Sequence, residues 1–127
     1  MAKIVVAEDH EHLRKLYEVE LQAEGYEVVL ARDGREAIEL AQAHRPDCVV
    51  LDIAMPGVDG IEALLKILSA DNEIPVILNT AYASYKDNFS TWAAAAYVIK
   101  SGDLTELKDT IRTVLAERSQ QAGAAEA

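Results

Sequence analysis

The stretch CVVLDIAMPGVDG, Cys48 to Gly60, begins with four apolar residues and then places a carboxylate, Asp52, where the run stops. Cys48–Leu51 offers no polar side chain to either face, and its paired valines favour a strand over a helix. A strand that is apolar on both faces belongs inside a sheet covered on both sides. After it, Pro56-Gly57 reads as a turn and Asp59-Gly60 as the opening of a helix. Asp59 is therefore the structural acid of the pair. Asp52 is the one that needs a reason, because a buried strand is delivering a carboxylate to its own end.

Outward from this stretch, four more runs have strand length and β-branched bias: IVVA (4–7), VVLA (28–31), VILN (76–79) and YVI (97–99). Between them, apolar residues recur at helical spacing: Leu13, Leu16, Tyr17 and Leu21; Ala37, Ile38 and Ala41; Ile61, Leu64, Leu65 and Leu68; Leu104, Leu107, Ile111, Val114 and Leu115. Asp33, Asp59 and Asp103 each precede a glutamate by three residues (Glu36, Glu62, Glu106), the aspartate form of a capping box, and mark three helix starts. The segment YASYKDNFSTWAAAA (82–96) lacks a strong cap; Phe89, Trp92 and Ala93 give it the stripe of a short helix. Doubly apolar strands alternating with one-sided helices predict a (βα)5 chain, with a doubly wound five-stranded parallel sheet and right-handed crossovers. The domain is expected over 1–118. Residues 119–127, SQQAGAAEA, have no apolar period and are expected as a flexible tail.

Bulk composition narrows the function classes. The 127 residues, half of them apolar, suit one domain with its own core. A net charge of −10 repels a nucleic-acid backbone, so direct DNA or RNA binding is not expected. The lone cysteine, Cys48, sits within an apolar run and reads as a small buried hydrophobe, which fits a reducing cytoplasm. The apolar run in MAKIVVAED is too short for a signal peptide, and none of the runs is long enough for a membrane span. A soluble, unprocessed cytoplasmic protein with no membrane partner is expected.

In a doubly wound sheet, ligands bind at the carboxyl ends of the strands. Here those ends carry Glu8-Asp9, Asp52, Asn79-Thr80 and Lys100: three acids, a hydroxyl and an amine facing one crevice. Taken singly, Asp52 reads as a turn or cap, Asp9 as a cap of the next helix, Lys100 as a surface lysine and Thr80 as a turn hydroxyl. Taken together, that reading needs five coincidences at one edge. Three converging carboxylates repel unless a cation joins them. Oxygen donors favour Mg2+ (or Mn2+), which would screen Asp52 from an incoming phosphoryl group. Attack by a carboxylate on phosphorus gives an aspartyl phosphate, and a lysine can pair with the transferring oxygens. His10 and His12 hint at a transition-metal site, but their spacing is not that of ligands sharing a helix face, and a solvated helix start is the simpler reading. His44 needs no role. Asp47, after Pro46, belongs to the opposite end of its strand.

With these residues in view, the chain resembles the receiver domain of two-component response regulators, similar to the single-domain chemotaxis and sporulation types, over about residues 3–118. VVAED carries the acidic pair, VVLDIAMPGVDG the phosphoacceptor loop, ILNTA the switch hydroxyl, and YVIKS the aromatic and lysine. The resemblance implies a flavodoxin-like fold with strand order 2-1-3-4-5. It implies that Asp52 receives a phosphoryl group from a histidine kinase or phosphotransfer protein. Mg2+ would be held by Glu8 or Asp9, Asp52 and the backbone carbonyl of Ala54. Thr80 would be drawn to the phosphate and Tyr97 would turn inward behind it, controlling a downstream partner through a face that includes Tyr97, Lys108, Ile111 and the Phe89–Trp92 segment. Trp92 reads equally as core or as partner contact.

Two departures from the family stand out. Ser101 replaces the usual cis-proline after the lysine, so the Lys100–Ser101 peptide should be trans or else strained. Tyr82, two residues past Thr80, and Ala54 flank the family's path for attacking water, and Tyr82 predicts slow loss of phosphate. The expected activity is transfer of a phosphoryl group to the protein itself and its later hydrolysis, without a turnover substrate. A phosphorylation-independent interaction module on the same fold is the alternative. A Mg2+-dependent aspartyl-phosphate phosphatase is a third class, but it would want a general acid where Ala54 stands.

Overall fold

The computed structural model describes residues 1–82 and 93–126, with side chains as far as Gln120. Five strands, β1 (Lys3–Ala7), β2 (Glu27–Ala31), β3 (Cys48–Leu51), β4 (Val76–Thr80) and β5 (Ala96–Ile99), form one parallel sheet in the order β2-β1-β3-β4-β5. Among the described residues, four helices pack on it: α1 (Glu11–Ala23), α2 (Gly34–His44), α3 (Gly60–Ala70) and α4 (Thr105–Glu126). The expected helix over 82–96 falls mostly on 83–92, outside the described residues, and Phe89 and Trp92 lie there too.

Strand alternation divides the interior into two cores. Val5, Ala7, Val49, Leu51, Val76 and Leu78 face α2 and α3, where they meet Ala37, Ala41, Ala63, Leu64 and Ile67. Ile4, Val6, Cys48, Val50, Ile77 and Val98 face α1 and α4, against Tyr17, Leu21, Leu107, Ile111 and Val114. β2 departs from the doubly buried expectation. Val28, Val29 and Leu30 are only half-buried, because β2 is an edge strand.

Two of the three expected caps form. The Asp33 and Asp59 side chains accept from the backbone N–H of Glu36 at 2.8 Å and Glu62 at 2.9 Å. The third does not. Asp103 accepts instead from the N–H and hydroxyl of Thr105, two residues on, and α4 starts one residue later than a cap at 103 would place it. The backbone of α4 stays helical to Glu126, and among its described side chains Leu115 is the last in the apolar core. Leu16 and Leu65, read from spacing as core, are 40% and 46% exposed.

Candidate functional site

Register brings the expected residues to one edge. Ala7 pairs with Leu51, so Glu8 and Asp52 leave the sheet at the same level, and Leu51 pairs with Leu78, which puts Asn79 beside Asp52. Thr80 pairs with Ile99, and Lys100 follows one step beyond. The ladder continues into the site: Glu8 N–H donates to Ala31 C=O (3.1 Å), Asp52 N–H to Ala7 C=O (3.2 Å) and Lys100 N–H to Thr80 C=O (2.7 Å). The acids are thus carried on rigid backbone rather than on a loop.

Lys100 reaches back across β4 to join them. Its Nζ lies 2.5 Å from Glu8 Oε1 and 2.8 Å from Asp52 Oδ2. The Lys100–Ser101 peptide is trans. Glu8 and Asp52 are almost fully buried, at 1% and 5% exposure. Burial pushes the Asp52 carboxyl above its usual range, and the charge of Glu8 adds to this while Lys100 opposes it. Burial would raise Glu8 as well, but hydrogen bonds from Lys100 and His10 hold it below its usual value. Burial alone would lower Lys100, yet its two carboxylate partners keep it above normal and firmly charged.

Asp9 completes the acidic set in a different manner. It does not cap α1, whose N-cap is His10 in extended conformation with no side-chain cap bond. Asp9 Oδ1 is buried and has no hydrogen-bond partner among the described residues. Among the described residues, the Lys100 ammonium bridges two of the three carboxylates and the Arg14 guanidinium lies on the backbone carbonyls of Glu8 and Asp9, so negative charge remains in excess at this edge. A buried oxygen without a hydrogen-bond donor, in an acidic cluster, fits a hard divalent cation with oxygen ligands. The Asp52 loop also offers the carbonyl of Ala54, whose N–H donates to Asp52 Oδ1 at 3.2 Å.

Gly60 and Gly57 shape the loop that follows Asp52. Gly57 takes φ +73°, a left-handed turn that suits glycine. At Gly60, a Cβ would overlap the Asp52 carbonyl oxygen and come 2.7 Å from Ile53 Cα, so α3 approaches the site only because this residue has no side chain.

Thr80 and Tyr97 form a neighbouring cluster through Tyr82. Thr80 is fully buried, and its Oγ1 accepts from Tyr82 N–H at 3.3 Å. The Tyr97 hydroxyl donates to the Tyr82 carbonyl at 2.5 Å, while its ring packs partly against the α2/α3 core. The Tyr82 side chain is half-exposed.

Two residues expected on an output face lie elsewhere. Ile111 is fully buried in the α1/α4 core, because it sits on the stripe of α4 that faces the sheet. Lys108 turns toward α1 and pairs with Glu20 at 2.9 Å. Asp47 stands at the far end of β3, as expected, with its carboxylate on Lys3 N–H. Three contacts around the site were not anticipated. Arg14 Nη1 donates to the carbonyls of Glu8 (2.9 Å) and Asp9 (3.3 Å), fixing the acidic loop from α1. Asn79 Nδ2 donates to the Tyr17 hydroxyl at 3.1 Å, a buried tie between β4 and α1.

The sequence matches the response regulator receiver domain over residues 4–112. The chain belongs to that family. The polar-differentiation response regulator DivK of Brucella anthropi is 36% identical over 119 residues, covering 90% of this chain and 96% of that protein. Response regulator MprA of Mycolicibacterium vanbaalenii is 36% identical over 98% of this chain, which spans only about half (54%) of MprA's length. Response regulator TrrA of Thermotoga maritima has been solved in complex with Mg2+-BeF (TM-score 0.87, 39% identity, covering 90% of this chain and 99% of TrrA). TrrA has also been solved in complex with the histidine kinase ThkA (TM-score 0.85, 40% identity, covering 91% and 99%). Among the described residues, no helix is long and apolar enough to cross a membrane.

Proposed function

We propose that Asp52 is the phosphoacceptor of this receiver, taking a phosphoryl group from a histidine kinase or phosphotransfer protein in the cytoplasm. The observation that carries the reading is Lys100 Nζ held between Glu8 and Asp52 at the sheet edge where Asp9 keeps a buried oxygen with no hydrogen-bond partner among the described residues. The two TrrA complexes, one with Mg2+-BeF and one with a kinase, support it by likeness.

In the proposed step, an Asp52 carboxylate oxygen forms a bond to phosphorus as the bond from phosphorus to the donor's histidine nitrogen breaks, and the leaving nitrogen ends protonated. Asp52 must be ionised to attack, and Lys100 favours that form against the burial that opposes it. As charge gathers on the phosphoryl oxygens, Lys100 is close enough to transfer a hydrogen bond to one of them. Glu8 or Asp9, with Asp52 and the Ala54 carbonyl, are the groups that would hold Mg2+, which when bound supplies charge neutralisation for the transferred group. Thr80 and Tyr97, already linked through Tyr82, are the proposed switch that carries the change to a partner protein. Hydrolysis restores the carboxylate, and Tyr82 at the mouth of the site is proposed to slow it.

Acetyl phosphate or phosphoramidate with Mg2+ should add one phosphoryl mass to the wild type and none to Asp52→Asn. Failure of both donors and of a partner kinase to label the wild type would overturn the proposal.

A further inference from the structure

We infer that His10 supplies a nitrogen ligand to the cation site at the end of β1, so that the site favours a first-row transition ion such as Ni2+ over Mg2+. This rests on the reading of Glu8 and Asp9 as cation-holding residues and goes beyond it in the donor set and the ion selected. His10 Nδ1 lies 3.1 Å from Glu8 Oε2 and 3.3 Å from Asp9 Oδ1, and one donor atom from each of these three residues lies within 4.8 Å of the other two.

Those separations are also hydrogen-bond lengths, and the two readings differ in what they leave to Asp9 Oδ1, which has no hydrogen-bond partner among the described residues. Nδ1 carries either one hydrogen or one lone pair. As a donor it serves Glu8, and the buried Oδ1 of Asp9 is left without a partner. As a ligand it shares one cation with both carboxylates. Donors about 2.1 Å from a metal stand about 3.0 Å apart at right angles and about 3.4 Å apart in a tetrahedron. The observed 3.1 and 3.3 Å fall within that interval.

The backbone holds the three residues in this arrangement. His10 makes no side-chain bond to cap α1, so its ring is not committed to the helix. Its own N–H donates to Glu8 Oε2 at 3.1 Å, folding the ring back over the strand end. Arg14 clamps the carbonyls of Glu8 and Asp9 from below. An imidazole nitrogen adds little for Mg2+, which seeks oxygen and water, whereas affinity of a nitrogen-containing site climbs from Mn2+ through Co2+ to Ni2+. The spacing argument against a pair of helical histidines still holds for His12, because the partners of His10 are the strand-end acids.

Calorimetric titration of the full, unphosphorylated chain with NiCl2 and with MgCl2 tests this, using wild type, His10→Ala and His12→Ala. Ni2+ affinity should fall about tenfold or more further than Mg2+ affinity in His10→Ala, the size of loss expected when a metal's histidine support is removed, and His12→Ala should match the wild type. In Mn2+-loaded wild type, electron spin echo spectra should carry a directly bound 14N modulation that His10→Ala abolishes. Equal Ni2+ affinity in wild type and His10→Ala, or equal proportional losses for both ions, would overturn the inference. Acetyl phosphate labelling of the wild type, run alongside, separates the two layers. Labelling with a Ni2+ affinity indifferent to His10 removes only the His10 assignment. A wild type that binds no divalent ion and takes no label removes the cation reading with it.

Discussion

Asp47 and Asp52 flank the same four-residue strand, yet the two ends of β3 treat a carboxylate in opposite ways. At the amino end, Asp47 accepts from Lys3 N–H at 2.8 Å, its own N–H returns a bond to Lys3 C=O, and Arg118 donates to its carbonyl at 2.7 Å. The local hydrogen bonds are closed there. At the carboxyl end, Asp52 is buried beside Glu8, with Asp9 near and one lysine among them, so negative charge remains in excess. The same residue type is structural where its bonds are satisfied and is the proposed phosphoacceptor where charge is left over.

The largest effect should come from removing the ammonium that bridges Glu8 and Asp52 at the proposed phosphoacceptor end. Lys100→Met leaves Glu8 and Asp52 buried without their cation, which should cost about 2–4 kcal/mol in urea unfolding at pH 7. The pH dependence has a definite sign. Glu8 is held below its ordinary pKa of 4.5, so its contribution is present above that pH and lost as pH falls through its folded value. The penalty of Lys100→Met should therefore shrink as both carboxyls protonate. Asp47→Ala, at the closed end, should cost about 1 kcal/mol, the worth of one ordinary hydrogen bond. Equal penalties at the two ends would erase the distinction.

Gly60→Ala attacks the Asp52 end through its backbone. The new methyl must displace the Asp52 carbonyl or α3, for about 1–3 kcal/mol, whereas Gly102→Ala meets nothing within 4 Å and should be neutral. Asp52→Asn should act in the opposite direction. Because burial raises the Asp52 pKa above its ordinary 3.8, the protonated form suits the fold, and stability is lost as pH rises from there through the folded value. The asparagine variant should unfold at a higher temperature than wild type at pH 7, and the gain should vanish below pH 3.8. A loss of stability at pH 7 would show that Lys100 outweighs burial. The smallest effect is kinetic: Tyr82→Ala should shorten the half-life of the phosphorylated protein a few-fold, and an unchanged half-life would dismiss the shielding role.

Much of this was legible because strands announce themselves locally. The runs at 4–7, 48–51 and 76–79 carry their burial in their composition, and Asp33 and Asp59 carry their caps within three residues. The site was legible at the level of strand ends, since a parallel sheet gathers those ends on one edge whatever the intervening chain does. Contacts between distant residues were not. Lys100 and Glu8 are 92 positions apart, and Asn79 and Tyr17 are 62 apart, so no local spacing encodes either bond. Ile111 and Lys108 were misplaced for a related reason. Helical spacing identifies a stripe but not which neighbour it faces. Cys48 went the other way: its apolar surroundings predicted burial, and the thiol is indeed enclosed, pushed up to about 12 by desolvation.

Tyr82 offers its amide hydrogen to Thr80 and its carbonyl oxygen to Tyr97, and these belong to two different peptide groups that meet at one Cα. Two torsion angles are thus the whole mechanical distance between a hydroxyl sealed at the strand end and a phenol at the surface. A linkage that short leaves little slack, so in the proposed switch a rotation at either end would reach the other before any helix has to shift.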